Sequence, residues 1–118
     1  MMIESRKFIR LKAPLAIEYT MIKKHKRQKK MISSMLNICV GGLSLEVREV
    51  VRQGDLMKIQ IQVPHWVEPV RVVGDVIWCS PASGNKENPA HEAGVRFRDI
   101  NPVELHKILD YVYSVAIG

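Results

Sequence analysis

The chain has 118 residues, of which 47% are hydrophobic and 25% are charged, which is ordinary for one compact globular domain. Its net charge of +6 is local, because the segment from Lys23 to Lys30 holds six of the 18 Lys and Arg residues and the other 12 balance 12 acidic residues. No apolar run approaches the roughly 20 residues of a membrane helix, and the N-terminus lacks the apolar stretch of a secretory signal, so we expect a cytoplasmic protein.

Alternation of apolar and polar residues predicts β-strands over most of the chain between residues 15 and 98. The predicted strands are, in chain order, residues 15–21, 31–36, 43–47, 57–63, 70–78 and 95–97. Gly54-Asp55 predicts a turn before the fourth strand, and Gly74 predicts a bulge or bend within the fifth.

The apolar period changes at the C-terminal end of the chain. Asn101, Pro102 and Glu104 have the pattern of a helix start, with Asn as the cap and Pro at the first helical position. Apolar residues then recur at helical spacing as far as Ala116. We therefore predict a single mainly β domain over residues 1–118. It consists of an N-terminal segment (1–12), a small six-stranded antiparallel β-barrel (13–99), and a C-terminal α-helix (101–116) that covers apolar surface of the barrel.

Arg6 and Arg10 are the first candidate binding residues. The planar guanidinium fork pairs bidentately with a phosphate and equally with the O6/N7 edge of guanine, and Lys7 adds a point charge. Taken alone, a basic N-terminal segment is more simply a solvated tail.

The stretch from Asn37 to Gly42 is the second candidate. The amide of Asn37 both donates and accepts hydrogen bonds, so it suits a guanine edge. Gly42 permits close backbone approach and left-handed dihedral angles. A simple turn between two strands explains the same residues equally well.

Together the two stretches resemble the signature of PilZ domains, which are bacterial receptors for the second messenger cyclic di-GMP. In that family Arg-x-x-x-Arg near the N-terminus precedes Asp/Asn-x-Ser-x-x-Gly, and here Arg6, Arg10, Asn37 and Gly42 occupy the matching positions. The later stretches 74–78 and 94–97 resemble the family's last strands. Cys39 departs from the pattern, because it stands where the family usually has serine. A thiol is a weaker hydrogen-bonding group than a hydroxyl, so this departure puts the affinity in doubt.

The resemblance implies a mechanism and a ligand. The arginine segment is expected to be mobile without ligand and to fold over cyclic di-GMP, which would pass the signal to a protein partner through an order–disorder switch. Some family members place an aromatic face near the ligand, a role that Trp78 would fill. Its alternation with Val70, Val72 and Val76 instead favours a core tryptophan.

Other function classes have less support from the residues. The basic segment Lys23–Lys30 has no aromatic residue to stack on bases, so a solvated hairpin loop is favoured over a nucleic-acid-binding small barrel that uses this hairpin. An acidic partner or a membrane surface is left open. The four histidines lack metal-ligand spacing, and there is no phosphate-binding loop or nucleophile turn, so we expect no enzyme activity, metal or cofactor. Cys39 and Cys79 are expected to be reduced thiols. A nucleotide-independent PilZ-fold adaptor remains the main alternative, and the chain is expected to be a monomer or a dimer.

Overall fold

A computed structural model of the chain describes residues 11–12, 15–23, 29–81 and 90–117. The strands are β1 (Leu11–Lys12), β2 (Ala16–Ile22), β3 (Met31–Ile38), β4 (Gly42–Val47), β5 (Leu56–Ile61), β6 (Val70–Cys79) and β7 (His91–Asp99), followed by the helix α1 (Pro102–Ile117). Arg6, Lys7 and Arg10, and residues 24–28 of the basic segment, lie outside the described residues.

Strands β2 to β7 form a closed antiparallel barrel. Their order is β3-β2-β5-β6-β7-β4, and β4 pairs back to β3 to close the ring. The short strand β1 lies beside the end of β3, with Leu11 opposite Ile38. The predicted six-stranded antiparallel barrel with a C-terminal helix is confirmed.

The last strand begins at His91, four residues earlier than its predicted start at Val95. Ala93 and Gly94 carry little or no side chain, so they gave no alternating signal. Both nevertheless pair with β4, where Leu45 lies opposite Ala93. The lengthened strand matters for function because it forms one wall of the candidate site.

The barrel interior is filled by the inward side chains of the predicted alternation. The largest fully buried residues are Tyr19, Ile17, Met35, Ile38, Leu45, Met57, Ile59, Ile61 and Ile108. The predicted turn at Gly54 is confirmed: its φ is 96°, and the backbone N–H of Arg52 donates to Asp55 Oδ2 at 2.9 Å. The predicted irregularity at Gly74 is also confirmed, since the strand register shifts there between β6 and β7.

Helix α1 begins as its sequence predicts. Asn101 Oδ1 accepts hydrogen bonds from the N–H groups of Val103 at 2.8 Å and Glu104 at 3.3 Å. The buried helix residues Leu105, Ile108 and Val112 join the barrel core. The helix also contacts β1, which links it to the base of the N-terminal segment. Within the part of the chain that the structure describes, no helix is long and apolar enough to cross a membrane.

Candidate functional site

The β3–β4 hairpin supplies most of the candidate site. The backbone N–H of Cys39 donates to Gly42 O at 2.8 Å and closes a tight turn, and the N–H of Phe97 on β7 donates to Gly41 O at 2.9 Å. Asn37, at the end of β3, lies directly opposite Ser44 of β4. The Asn37–Gly42 stretch therefore runs from the end of β3 through the turn to the start of β4, and Asn37, Cys39, Gly41 and Gly42 also line a cavity.

This cavity has a volume of about 220 Å³ and lies on the barrel wall where β3, β4, β7 and β6 adjoin. Its lining residues are Asn37, Cys39, Gly41, Gly42, Leu43, Ser44, Ile77, Trp78, Gly94, Val95 and Arg96. The predicted binding residues Asn37, Cys39 and Gly42 of the hairpin thus line the same cavity as Trp78 of β6.

Gly42 is required for strand packing. A Cβ on this residue would overlap the carbonyl oxygen of Val95 and lie 3.1 Å from Arg96 Cα, both on the paired strand β7. The close approach at Gly42 is therefore to the backbone of the paired strand β7. The expectation of left-handed dihedral angles at Gly42 is wrong: among the described residues, positive φ occurs only at Gly54 and His65.

The preference for Trp78 as a core residue is also wrong. Val76 lies opposite Val95 and Trp78 lies opposite Gly94, so Ile77 is an extra residue in β6 that forms a β-bulge. The bulge reverses the alternation that places Val76 inward. Trp78 is consequently half-buried in the cavity wall, and the next residue, Cys79, packs against the core instead.

The lining residues that the sequence pattern did not single out as binding residues include Ser44, Gly94 and Arg96. Gly94 leaves the space in which the Trp78 ring lies, since a Cβ there would approach Trp78 Cδ1 to 2.7 Å and overlap other ring atoms. Arg96 is exposed and is the one formally charged residue among the described lining residues. The signal that would have found them is strand register, because Ser44 pairs with Gly94, and Gly94 pairs with Trp78.

The charged and nucleophilic groups near the cavity do not form a catalytic arrangement among the described residues. Asp75, opposite Arg96 in the sheet, forms an ion pair with Arg98 at 3.4 Å. Cys39 and Cys79 are both free thiols, as expected, and burial raises the pKa of Cys79 above its usual value. In the described ranges, no three His, Cys, Asp or Glu side chains are grouped to hold a metal ion. The cavity lining is mostly apolar and includes one amide, one thiol, one serine and one guanidinium side chain.

The family model of the PilZ domain matches residues 4–114 of the sequence. The chain belongs to the PilZ family. None of the curated proteins compared with it matches its sequence significantly.

Several solved structures share the fold at low sequence identity. The PilZ domain of YcgR from Escherichia coli, solved with c-di-GMP, has a TM-score of 0.68 at 15% identity, covering 94% of this chain and 91% of that one. The Bacillus subtilis inhibitor of motility MotI (DgrA) gives 0.67 at 13% identity, covering 98% of this chain and 53% of that one. The K. pneumonia MrkH–c-di-GMP complex gives 0.70 at 11% identity, covering 98% and 54%. The chain thus spans about half the length of MotI and of MrkH.

In this PilZ domain the second half of the family signature is assembled and the first half lies outside the described residues. Asn37, Cys39 and Gly42 all line the cavity. Asn37 precedes the fully buried Ile38 on β3, so its side chain lies on the outer face of the barrel, and Cys39 follows at the start of the hairpin turn. The unusual cysteine therefore faces the same cavity as the rest of the signature.

Proposed function

We propose that this PilZ domain is a receptor for cyclic di-GMP. The main supporting observation is that Asn37, Gly42 and Trp78 line one cavity beside the point where the N-terminal segment joins the barrel. The solved PilZ domain of YcgR and the MrkH complex, which share the fold, contain c-di-GMP.

The size of the cavity indicates how the ligand would sit. Its volume of about 220 Å³ is below the roughly 300–1,000 Å³ of a whole small-molecule site, so we expect it to take one guanine base. Asn37 would hydrogen-bond the guanine edge, Trp78 would contact its face, and Arg96 would attract a phosphate. Cys39 would contribute at most a weak hydrogen bond.

The arginine segment would cover the remainder of the ligand. Leu11 pairs with Ile38 at the end of β3, and Arg10 is bonded directly to Leu11. Residues 1–10 are therefore attached to the barrel beside the hairpin, within reach of a ligand held there. Arg6, Lys7 and Arg10 would add charge-assisted hydrogen bonds to phosphate and guanine, and residues 1–10, which precede β1, would order upon binding.

Strand β1, to which the arginine segment is attached, would also relay the signal to a protein partner. Strand β1 lies between the ligand-facing end of β3 and helix α1, which it contacts. Ordering of the arginine segment would alter the surface formed by this segment and α1. We propose that a protein partner reads that surface.

Calorimetric titration of the full chain with cyclic di-GMP tests the receptor function. Loss of the bidentate contacts in Arg10→Ala should raise the Kd roughly 10- to 100-fold, since charged hydrogen bonds contribute about 1.5–3 kcal/mol. Arg71→Ala, which removes an exposed arginine of β6 outside the cavity, controls for the lost charge and should leave the Kd nearly unchanged. Absence of binding by the unmodified chain at about 100 μM ligand, a limit near 5.5 kcal/mol, would exclude the function.

The position of Cys39 supports a second candidate function, a nucleotide-independent adaptor whose ligand site has decayed. The cysteine faces the cavity where a hydroxyl is usual in the family. This alternative predicts no cyclic di-GMP binding by the unmodified chain and measurable binding by Cys39→Ser. The receptor function predicts binding by both.

A further inference from the structure

Ser44 is a buried polar residue that the barrel itself does not use. It lies on β4 between Leu43 and Leu45, whose side chains are in the core, so Ser44 points to the outer face of the barrel. The residue is nevertheless only 1% exposed, and its Oγ has no hydrogen-bond partner. A buried hydroxyl without a partner lowers stability, so this serine has no explanation in the fold alone.

Ser44 is also one of the residues that line the candidate cavity. Strand pairing places Asn37, Ser44, Gly94 and Trp78 in one row across four adjacent strands, in that order. Asn37 lies on one side of Ser44 in this row, and on the other side the aromatic ring of Trp78 lies over the bare backbone of Gly94. A ligand between the amide and the ring would lie next to Ser44.

Ser44 also lies on the same face as the position where a hydroxyl is lacking. Cys39 and Ser44 flank the tight turn of the β3–β4 hairpin, and both line the cavity. One side of the hairpin thus offers a thiol, which is a weak hydrogen-bonding group, while the other offers a hydroxyl with unused capacity to donate and accept.

We propose that Ser44 Oγ hydrogen-bonds the bound cyclic di-GMP and fills the role of the hydroxyl that Cys39 does not provide. This proposal rests on the proposed receptor function and names a further determinant of affinity at the same site. It explains how a PilZ domain with cysteine in its signature retains a polar contact in the cavity.

Ser44→Ala separates ligand binding from folding, because the two effects have opposite signs. Removing an unpartnered buried hydroxyl should leave the melting temperature unchanged or raise it. The same change should raise the Kd for cyclic di-GMP about three- to tenfold by calorimetry, the cost of one lost hydrogen bond. Ser34→Ala, which alters an exposed serine of β3 outside this cavity, should change neither quantity.

A double-mutant cycle with Cys39→Ser tests the substitution of one hydroxyl for the other. Restoring the serine should lower the Kd at least about threefold more in the Ser44→Ala background than in the unmodified chain, because Ser44 already makes the contact there. Equal gains in both backgrounds would overturn the proposal.

The outcomes distinguish this proposal from the receptor function. If the unmodified chain binds, Arg10→Ala weakens binding and Ser44→Ala binds like the unmodified chain, then the receptor function stands and only the role of Ser44 is overturned. If the unmodified chain does not bind cyclic di-GMP, both are overturned.

Discussion

Replacing either glycine of the Gly41-Gly42 pair by alanine should give opposite results, although the two residues are adjacent. A Cβ on Gly42 would overlap Val95 O and lie 3.1 Å from Arg96 Cα, whereas a Cβ on Gly41 would meet nothing within 4 Å. Neither glycine has a positive φ, so the substitutions differ in steric contact and not in backbone preference.

The loss of stability expected for Gly42→Ala follows from the atoms that the new Cβ would overlap. The obstructing atoms belong to the backbone of β7, so no side-chain rotation relieves the overlap, and the ladder between β4 and β7 must open near the Gly42–Arg96 pair. Overpacking of this kind costs about 1–3 kcal/mol, and a weakened ladder hydrogen bond adds about 1 kcal/mol. We therefore expect Gly42→Ala to lower the free energy of unfolding by about 2–4 kcal/mol, a large part of a typical 5–15 kcal/mol.

Urea denaturation followed by circular dichroism measures the difference directly. Gly41→Ala should stay within about 0.5 kcal/mol of the unmodified chain, because an open site with ordinary φ accepts a methyl group. Thermal unfolding should show the same order, with a fall of roughly 4 °C or more per kcal/mol for Gly42→Ala. Equal stability of the two variants would refute the close approach of β4 to β7 on which the geometry of the cavity depends.

Two further substitutions test the cavity wall and the core. Gly94→Ala should displace the Trp78 ring, because the new Cβ would overlap it; binding of cyclic di-GMP should weaken about tenfold by calorimetry, as expected for loss of an aromatic contact with a base. An unchanged Kd would show that Trp78 does not contact the ligand. Burial, with a smaller contribution from the charge of Glu49, raises the pKa of Tyr19 to about 12. The unfolded chain loses this proton near pH 10, so the free energy of unfolding should be unaffected below about pH 10 and fall as the pH rises toward 12. In Tyr19→Phe, urea denaturation should show a smaller decline over that range, and an equal decline in both proteins would contradict the raised pKa.

The barrel was predictable because its strands keep a regular period of two. On β2 the alternation places the side chains of Ile17, Tyr19 and Met21 in the core, as predicted. The start of α1 is marked by Asn101, whose capping hydrogen bonds involve residues close to it in sequence. Local signals of this kind depend on neighbours in the sequence, which are known before the fold is.

The bulge at Ile77 explains why the alternating pattern misplaces Trp78. The period of two holds along β6 as far as Val76, and Ile77 then occupies an extra position opposite β7. The extra residue arises from pairing between two strands, so no pattern within β6 alone marks it. A single such residue reverses the side on which every later residue of the strand lies, and it moves the tryptophan from the expected core to the cavity wall.

The same limit explains why Ser44 and Gly94 were not predicted as part of the site. Ser44 is distant in sequence from Trp78, and Gly94 is distant from Asn37. Only the pairing of β4 with β3 and β7, and of β7 with β6, brings the four residues into one row. When the sequence is compared with the family signature position by position, Cys39 is the loss of a hydroxyl, because serine is usual at that position. A site is formed by a surface, and Ser44 of β4, which lies opposite Asn37, lines the same cavity as Cys39. If Ser44 contacts the ligand as proposed, the affinity of this PilZ domain depends on the number of hydroxyl groups that face the cavity rather than on which strand carries them.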